Sequence, residues 1–437
     1  MRLSGLIFAL GLLAATAVTA GENGSAQNNP LTKMPSKPGA HIARIKALGD
    51  NQWVELGKPA GDPKWGVARG RSWGGRAFAY APDLEGSFFC GTGVHGYIKP
   101  DGHYMDDLWF YDVNEHRWIC LYPGADTTTL KLKLDEKGFE FNEKGEYVPV
   151  SYLSHANSNM TYDPNLRKLM IVWLSCPWWP GPLPQRRTWL DQKYPIVAKQ
   201  TKTKIGGQVG PVIGAAKHPL YWDVAGGRWE RRFVPGDGPN PTGSRHMIGV
   251  AEYIPSMKKV IFVEPRKVWS YDYAANAWTL ESTDPTKRKG GWWDNGCYDP
   301  VHKRLYFTYQ DRTTFACYDL ARKTWRDIKA PGQPEKLGQS NETCMFYDSA
   351  NRVFVWHGNG RGERGHMRIF DPETEKWTTL KRTFPNVPKQ QRCMNGFYDP
   401  KLNAHFFYIA GDSRNKDATM LAYRYKRRAA AANGRDG

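Results

Sequence analysis

The chain has 437 residues and a formal net charge of +18, with 61 Lys and Arg against 43 Asp and Glu. Strand and turn formers are abundant, since 18 Trp, 22 Tyr and 18 Phe accompany 44 Gly and 30 Pro. The seven cysteines are too sparse for a small disulfide scaffold, and they include no CxxC or Cys/His metal spacing. We therefore predict neither a metal site nor a cofactor.

The first predicted element is a secretory signal peptide over residues 1–20. Arg2 supplies a positive charge, residues 3–17 are apolar, and Val18-Thr19-Ala20 is a small-residue cleavage site. A retained membrane anchor is the alternative, and no second apolar segment follows. We expect an exported protein, periplasmic or extracellular, with no transmembrane segment after cleavage.

The remaining chain divides into three predicted parts. Residues 21–42 are rich in Gly, Asn, Pro and Ser and are expected to be a disordered lead-in. Residues 43–428 are predicted to form one domain, because a repeat array of this length closes as a single unit. Residues 429–437 are predicted to be a disordered tail.

A repeat runs through that domain. Each unit begins with a tyrosine followed two places later by proline or another turn residue, at Tyr80, Tyr162, Tyr253, Tyr298, Tyr347 and Tyr398. An apolar strand follows, and then an Asp with a Trp six residues beyond it, as in Asp112/Trp118, Asp223/Trp229, Asp272/Trp278, Asp319/Trp325 and Asp371/Trp377. This regularity predicts four-stranded antiparallel blades, with strands a to d in chain order. We expect Asp to form the a–b turn and the Trp to pack between blades.

The sixth unit lacks the terminal Trp, and the missing strand is found at the other end of the chain. Residues 51–56 resemble the strand-d sequence of residues 116–121, with Trp53 in the place of Trp118. We therefore predict that an N-terminal strand closes the ring beside residues 421–425, because closure removes two open sheet edges. Insertions are predicted at 125–150, hairpin-like around Asp135, and at 177–217. A seventh blade within an insertion stays open.

The tyrosine and tryptophan spacing resembles the kelch repeat of six- or seven-bladed propellers and of the galactose oxidase central domain. The resemblance implies an all-β, kelch-like β-propeller over nearly all of the mature chain. The kelch double glycine survives only in fragments, such as Cys90-Gly91 and His357-Gly358. Galactose oxidase would also imply a copper site that includes a Tyr-His dipeptide. The chain contains no such dipeptide, so we exclude copper oxidase chemistry.

Candidate site residues come from the d–a and b–c connections, which emerge on the same face of a propeller. Functional residues usually lie on such loops. Guanidinium groups suit carboxylate or sulfate, and Trp faces suit sugar rings. The predicted ligand-binding residues are Arg76, His95, His155, Asn157, Trp178, Trp179, Arg245, His246, Arg266, Asp294, Arg312, Asn341, Glu342, Arg361 and Arg392. A polar, water-filled channel with a generally basic surface is the alternative interpretation.

The leading functional prediction is a binding propeller for an anionic ligand, an acidic or sulfated glycan. Export and the lack of a nucleic-acid motif argue against nucleic acid. A carbohydrate-active enzyme, such as an epimerase, mutarotase or lyase, is one alternative. There His155 or His246 would be the general base, with Asp294 or Glu342 and with Arg392 orienting the substrate. A protein-interaction scaffold is another, and whether the chain is catalytic stays open.

Overall fold

The computed structural model describes residues 29–71, 77–90, 106–124, 133–137, 139–149, 158–172, 216–241, 249–264, 266–286, 296–308, 314–334, 343–358, 366–381, 393–410 and 418–426. Within them lie six four-stranded antiparallel sheets and one two-stranded hairpin. The fold is therefore an all-β propeller of six blades, as the repeat predicts. No helix in the described ranges is long and apolar enough to cross a membrane.

The chain begins with a short 3-10 helix (Pro30–Lys33), helix α1 (His41–Lys46) and strand β1 (Gln52–Gly57). Blade 1 follows as β2 (Phe78–Ala81), β3 (Gly86–Cys90), β4 (Leu108–Asp112) and β5 (Arg117–Tyr122). The hairpin is β6 (Lys133–Leu134) and β7 (Glu140–Phe141). Blade 2 is β8 (Met160–Asp163), β9 (Lys168–Ile171), β10 (Leu220–Asp223) and β11 (Arg228–Arg231). Blade 3 is β12 (Val250–Ile254), β13 (Lys259–Glu264), β14 (Lys267–Asp272) and β15 (Ala277–Thr283).

The second half repeats the pattern. Blade 4 is β16 (Gly296–Asp299), β17 (Arg304–Thr308), β18 (Phe315–Asp319) and β19 (Thr324–Ile328). Blade 5 is β20 (Thr343–Asp348), β21 (Val353–Gly358), β22 (His366–Asp371) and β23 (Lys376–Lys381). Blade 6 is β24 (Cys393–Asp399), β25 (Ala404–Ala410) and β26 (Thr419–Arg424), with β1 as its outer strand.

The first strand of each blade lines the inside of the ring. These strands contact one another in the cyclic order β2, β8, β12, β16, β20, β24 and back to β2. Because the strands of each blade are antiparallel neighbours, the d–a and b–c connections emerge at one end, the loop face. The a–b and c–d turns emerge at the other end, the turn face.

Each strand-d tryptophan packs in the core between its own blade and the preceding one. An apolar cluster lies between each pair of neighbouring blades. Four of the tryptophans are buried members of a cluster, and Trp53 and Trp325 are partly buried and pack against one; the six are Trp53, Trp118, Trp229, Trp278, Trp325 and Trp377. Trp118 shows the pattern clearly, since it is fully buried in blade 1 and its ring lies 5.0 Å from that of Tyr408 in blade 6. The predicted role of the tryptophans is confirmed.

The N-terminal strand closes the ring in the predicted register. Strand β1 pairs antiparallel with β26, and Trp53 lies opposite Tyr423. The two rings are 4.4 Å apart, and Trp53 also contacts Phe407 at 5.5 Å. The six residues of β1 thus complete a sheet whose other three strands lie within residues 393–424, which removes the open edge of blade 6.

The segment before β1 differs from the expected disordered lead-in over 21–42. From Asn29 onward the chain makes long-range contacts along the turn face. Leu31 is fully buried between blades 1 and 2. Ser36 Oγ donates to Asp112 Oδ1 at 2.7 Å, and Gly39 N–H donates to Asn114 O at 2.8 Å. The segment therefore fastens blades 1 and 2 before it reaches blade 6.

The aspartates of the repeat cap the turns as predicted. Asp163 accepts the Asn165 N–H at 2.9 Å, and Asp399 accepts the Lys401 N–H at 2.8 Å. The repeat tyrosine adds a bond between blades, because Tyr398 Oη in blade 6 donates to Asp348 of blade 5 at 3.0 Å. Burial, followed by the nearby Asp348 carboxylate, raises the pKa of Tyr398 well above its usual value, so the hydroxyl remains a donor.

The hairpin insertion forms where the sequence predicts it. Asp135 Oδ1 accepts the N–H groups of Lys137 and Phe139 at 2.9 and 2.8 Å, which fixes the turn between β6 and β7. Phe139 then packs on Phe233 and His218 of blade 2, with ring centroids 5.7 and 5.8 Å apart. Of the insertion at 177–217, only the last two residues are described. The predicted signal peptide and tail lie outside the described ranges.

Candidate functional site

Among the predicted ligand-binding residues, Arg266 is the one that the structure describes. The remaining members lie outside the described residues: Arg76, His95, His155, Asn157, Trp178, Trp179, Arg245, His246, Asp294, Arg312, Asn341, Glu342, Arg361 and Arg392. The His, carboxylate and Arg set of the enzyme alternative is among them. Their convergence on one channel mouth therefore stays a prediction.

Arg266 is exposed in the tight b–c connection of blade 3, on the loop face. Its backbone adopts a φ of 65°, which turns the chain sharply between β13 and β14. The guanidinium donates to Asp284 O at 3.3 Å, and Asp284 N–H donates to Arg266 O at 2.7 Å. Because Asp284 directly follows the outermost strand, Arg266 lies over the outer half of its blade. Its exposed N–H groups remain accessible to a ligand.

A buried ion pair lies beneath the loop face of blade 1. Arg71, which is fully buried, donates from Nη2 to Asp107 Oδ1 at 2.8 Å, and Asp107 is 7% exposed. Trp109 Nε1 donates to the other carboxylate oxygen at 2.6 Å. The Arg71 N–H donates to Asn395 Oδ1 in blade 6 at 3.1 Å. The pair therefore fixes the chain that enters strand a of blade 1 against two blades.

Blade 3 carries a related contact at the same end. Glu264, at the end of β13, accepts the indole N–H of Trp269 at 2.8 Å and is 4% exposed. Lys267 lies with its ammonium 5.6 Å from the Trp269 ring centroid and 4.0 Å from the Glu264 carboxylate. Buried acids thus support the strand-c indoles on the loop face in blades 1 and 3.

Sequence reasoning missed this buried acid–indole arrangement. The Asp-Asp pair at 106–107 precedes a Trp two places on, and that spacing is the only local signal. Asn395, three residues after the predicted site residue Arg392, is fully buried. Its side-chain oxygen accepts the Arg71 N–H from the segment that leads into blade 1, rather than facing an open channel.

His218 is a buried titratable group beneath the hairpin. Its Nδ1 accepts the Val234 N–H at 3.1 Å, and it is 6% exposed. Burial, with the positive charges of Lys217, Arg231 and Lys137, lowers the pKa of His218 to about 4. No group of three metal-ligating side chains occurs among the residues for which positions are described.

The His218 pKa predicts an acid-sensitive stability. When the pKa of a histidine is lower in the folded protein, its contribution to the free energy of unfolding is fully present above pH 6.5. That contribution is lost as pH falls from 6.5 towards 4, because the unfolded chain takes up the proton first. His218→Asn keeps an acceptor for Val234. It should reduce the slope of unfolding free energy against pH in this window by about 1.4 kcal/mol per pH unit. Urea unfolding at several pH values measures the slope.

The matched control is His302, whose pKa is shifted in the opposite direction to that of His218. Although burial alone would lower the pKa of His302, its hydrogen bonds to Asp299 and Glu373 raise it above the usual value. His302 therefore adds stability at low pH that is lost as pH rises through its folded pKa. His302→Asn should remove this contribution, whose pH dependence lies above pH 6.5, and should leave the slope between pH 6.5 and 4 unchanged. An unchanged slope in the His218 variant would contradict the assigned environment.

The sheets, the ring order and the closing strand define the chain as a six-bladed β-propeller. No protein-family model matches it, and no curated protein matches it. Similar solved structures include a protein of unknown function from Bacteroides thetaiotaomicron, 10% identical with a TM-score of 0.44, covering 86% of this chain and 73% of that one. An auxiliary nutrient binding protein from Bacteroides ovatus is 12% identical with a TM-score of 0.44, covering 86% and 78%. A chain of a mitotic checkpoint complex is 7% identical with a TM-score of 0.44, covering 95% and 99%.

Proposed function

We propose that the protein is an exported, kelch-like propeller that binds an anionic ligand, an acidic or sulfated glycan, on its loop face. The observation that carries the proposal is the unequal pairing of charge between the two faces. With a net charge of +18, the protein surface carries more positive than negative groups. A cationic surface attracts anionic polymers. Where those charges are already paired with carboxylates, they are unavailable to a ligand.

On the turn face, many bases are neutralised by neighbouring acids. Nitrogen–oxygen distances of 2.6 to 3.6 Å join Lys168 to Glu230, Lys323 to Glu281, Arg167 to Asp83, Arg304 to Asp319 and Lys259 to Asp272. Two of these pairs, Arg304 with Asp319 and Lys259 with Asp272, follow from the repeat, because a base at the start of strand b faces the aspartate at the end of strand c. Part of the positive charge on the turn face is therefore already compensated by carboxylates.

Three of the segments that connect strand ends at the loop face carry more Lys and Arg than Asp and Glu in their sequence. Segment 173–215 has six Lys or Arg and one Asp, and segment 382–392 has three Lys or Arg and no acid. Segment 287–295 has three bases and one Asp. Arg266 adds an exposed guanidinium on this face. This surplus favours an anionic ligand, and guanidinium groups favour carboxylate or sulfate.

The test is binding of the mature protein to a sulfated or uronate-containing polysaccharide as salt rises. Binding should weaken steeply between about 0.1 and 0.5 M salt, since the Debye length is about 10 Å at 0.1 M and shrinks beyond. Replacing both Arg266 and Arg361 with Glu should weaken binding at least about tenfold, because it reverses two charges of the site. Isothermal titration calorimetry measures both effects.

Lys258 and Lys303 provide the control on the turn face. Both are exposed, and both have positive φ, at 52° and 55°, like Arg266. Replacing this pair with Glu changes the net charge by the same amount without breaking the ion pairs of Arg167 and Lys168. Binding should be nearly unchanged. Equal losses in the two double variants would mean a diffuse charge effect and would overturn the proposal.

A further inference from the structure

Blades 2, 3 and 4 share an ion pair between the start of strand b and the end of strand c. The base faces the repeat aspartate across two adjacent strands, at 3.3 Å for Lys168 and Asp223, 3.6 Å for Lys259 and Asp272, and 3.3 Å for Arg304 and Asp319. The aliphatic stem of the base covers the sheet beside the turn, and its charged end meets the carboxylate. Three blades thus place a Lys or Arg side chain in the same local site.

Blade 5 lacks that side chain. Phe354 pairs with Phe370, so the register places Val353 opposite Asp371, where the other three blades have a base. A cavity of about 350 Å³ lies at this position, with Val353, Ile369 and Asp371 in its lining. Its volume is within the range of small-ligand sites. We call it the blade 5 cavity.

Asp371 is held in place in this cavity. Its Oδ1 accepts the N–H groups of Glu373 and Thr374 at 2.9 and 3.3 Å, and its Oδ2 accepts Thr374 Oγ1 at 2.9 Å. A carboxylate has about four acceptor positions, so it can accept further hydrogen bonds. The side chain is half-buried, and no salt bridge to it is formed by the residues that the structure describes. A cation can therefore bind where blades 2 to 4 supply their own.

The rest of the cavity lining is basic and aromatic, and Lys376 lies directly opposite Asp371 on the neighbouring strand β23. Lys376, Tyr425 and Lys426 belong to its lining, and the Lys426 ammonium lies 5.1 Å from the Tyr425 ring centroid. Neither lysine forms an ion pair with another described residue, in contrast to the paired bases of blades 2 to 4. The lining also includes Thr378, which can donate a hydrogen bond. One carboxylate and two ammonium groups line a single cavity.

We propose that the blade 5 cavity binds a basic amino acid, with its guanidinium or ammonium side chain on Asp371 and its carboxylate beside Lys376 and Lys426. The ligand's side chain takes the place that the Lys or Arg of strand b occupies in blades 2 to 4. A ligand with only a cation would meet two unpaired lysines, and a ligand with only a carboxylate would leave Asp371 unpaired. The site is on the turn face and does not rest on the loop-face proposal.

The test uses the mature protein with free L-arginine, measured by ligand-observed NMR and calorimetry. Agmatine, which lacks the carboxylate, should bind at least about tenfold more weakly than L-arginine because it loses the lysine contacts. Lys376→Gln should weaken L-arginine binding several-fold and leave agmatine binding no weaker. Asp371→Asn retains the turn-capping oxygen and should weaken both ligands at least about tenfold.

Val353→Lys supplies the missing side chain of blades 2 to 4 and should abolish binding without lowering the Tm. The control is Asp272→Asn, which removes the corresponding charge in blade 3 and should leave L-arginine affinity unchanged. If Val353→Lys fails to fold, the Asp371→Asn comparison decides. The proposal is overturned if L-arginine does not bind at about 10 mM, or if it binds the Asp371→Asn protein with unchanged affinity.

Discussion

Replacing Trp53 with alanine should lower the free energy of unfolding by about 3 kcal/mol, although Trp53 lies in the first eighth of the chain. Its ring contacts Tyr423, Phe407 and His357 in the core between blades 5 and 6, at centroid distances of 4.4, 5.5 and 5.6 Å. Truncation leaves a void at the interface that closes the ring. Urea unfolding followed by Trp fluorescence and by far-UV circular dichroism measures the loss.

Trp65 is the matched control for this prediction. It is 44% exposed on a turn held by Asp62, twelve residues further along the chain. Trp65→Ala removes the same side chain and should change stability by less than about 0.5 kcal/mol. Deleting residues 43–56 should have a larger effect than Trp53→Ala, because it also exposes the hydrogen-bonding edge of β26. A deletion variant that melts at the temperature of the intact protein would contradict closure by β1.

The propeller could be predicted because its information is local and repeated. Four of the six units carry an Asp directly after the repeat tyrosine, and five carry a Trp six residues after an Asp, so the strand order within a blade follows from short spacings. The split sixth unit was also predictable, since Trp53 lies in a copy of the sequence around Trp118. Six repeats of one pattern fix the number of blades in the structure.

The order of the N-terminal segment could not be predicted in the same way. Residues 29–40 have the composition of a flexible linker, and local composition favours disorder. Their structure depends on partners far along the chain, since Asn29 Nδ2 donates to Val224 O and Ser36 donates to Asp112. Such contacts are created by the ring, which brings the turns of blades 1 and 2 together.

The candidate site was predictable only as a face. Because Arg266 lies in a b–c connection, the strand order of the blade predicted that it lies on the loop face. No sequence spacing indicates that its guanidinium lies over the outer strand. The ion pair of Arg71 and Asp107 joins positions 36 apart, and neither residue differs in sequence from an ordinary surface charge. The absence of a base at position 353 of blade 5, where Val353 lies opposite Asp371, is recognised only when the strand register is compared between blades.

The buried ion pair gives the second large expected effect. Asp107→Leu should cost about 3–5 kcal/mol, because it removes the carboxylate 2.8 Å from the buried Arg71 guanidinium. Removing one partner of a buried pair leaves a charge out of water without that compensation. Asp107→Asn retains an acceptor oxygen for Trp109 and should cost less than Asp107→Leu. Equilibrium unfolding in urea measures both variants.

A double-mutant cycle separates the ion pair from the other contacts of these residues. Arg71→Met removes the charge that Asp107→Leu leaves exposed to the apolar interior, so the double variant should be more stable than Asp107→Leu alone. The lost Trp109 hydrogen bond is common to the single and double variants and cancels in the comparison. If the two substitutions simply add, the pair contributes no coupling energy, and the chain entering blade 1 must be held chiefly by Asn395 and the surrounding core. A coupling energy of about 1 kcal/mol or more would instead show that the ion pair itself holds the chain that enters strand a of blade 1.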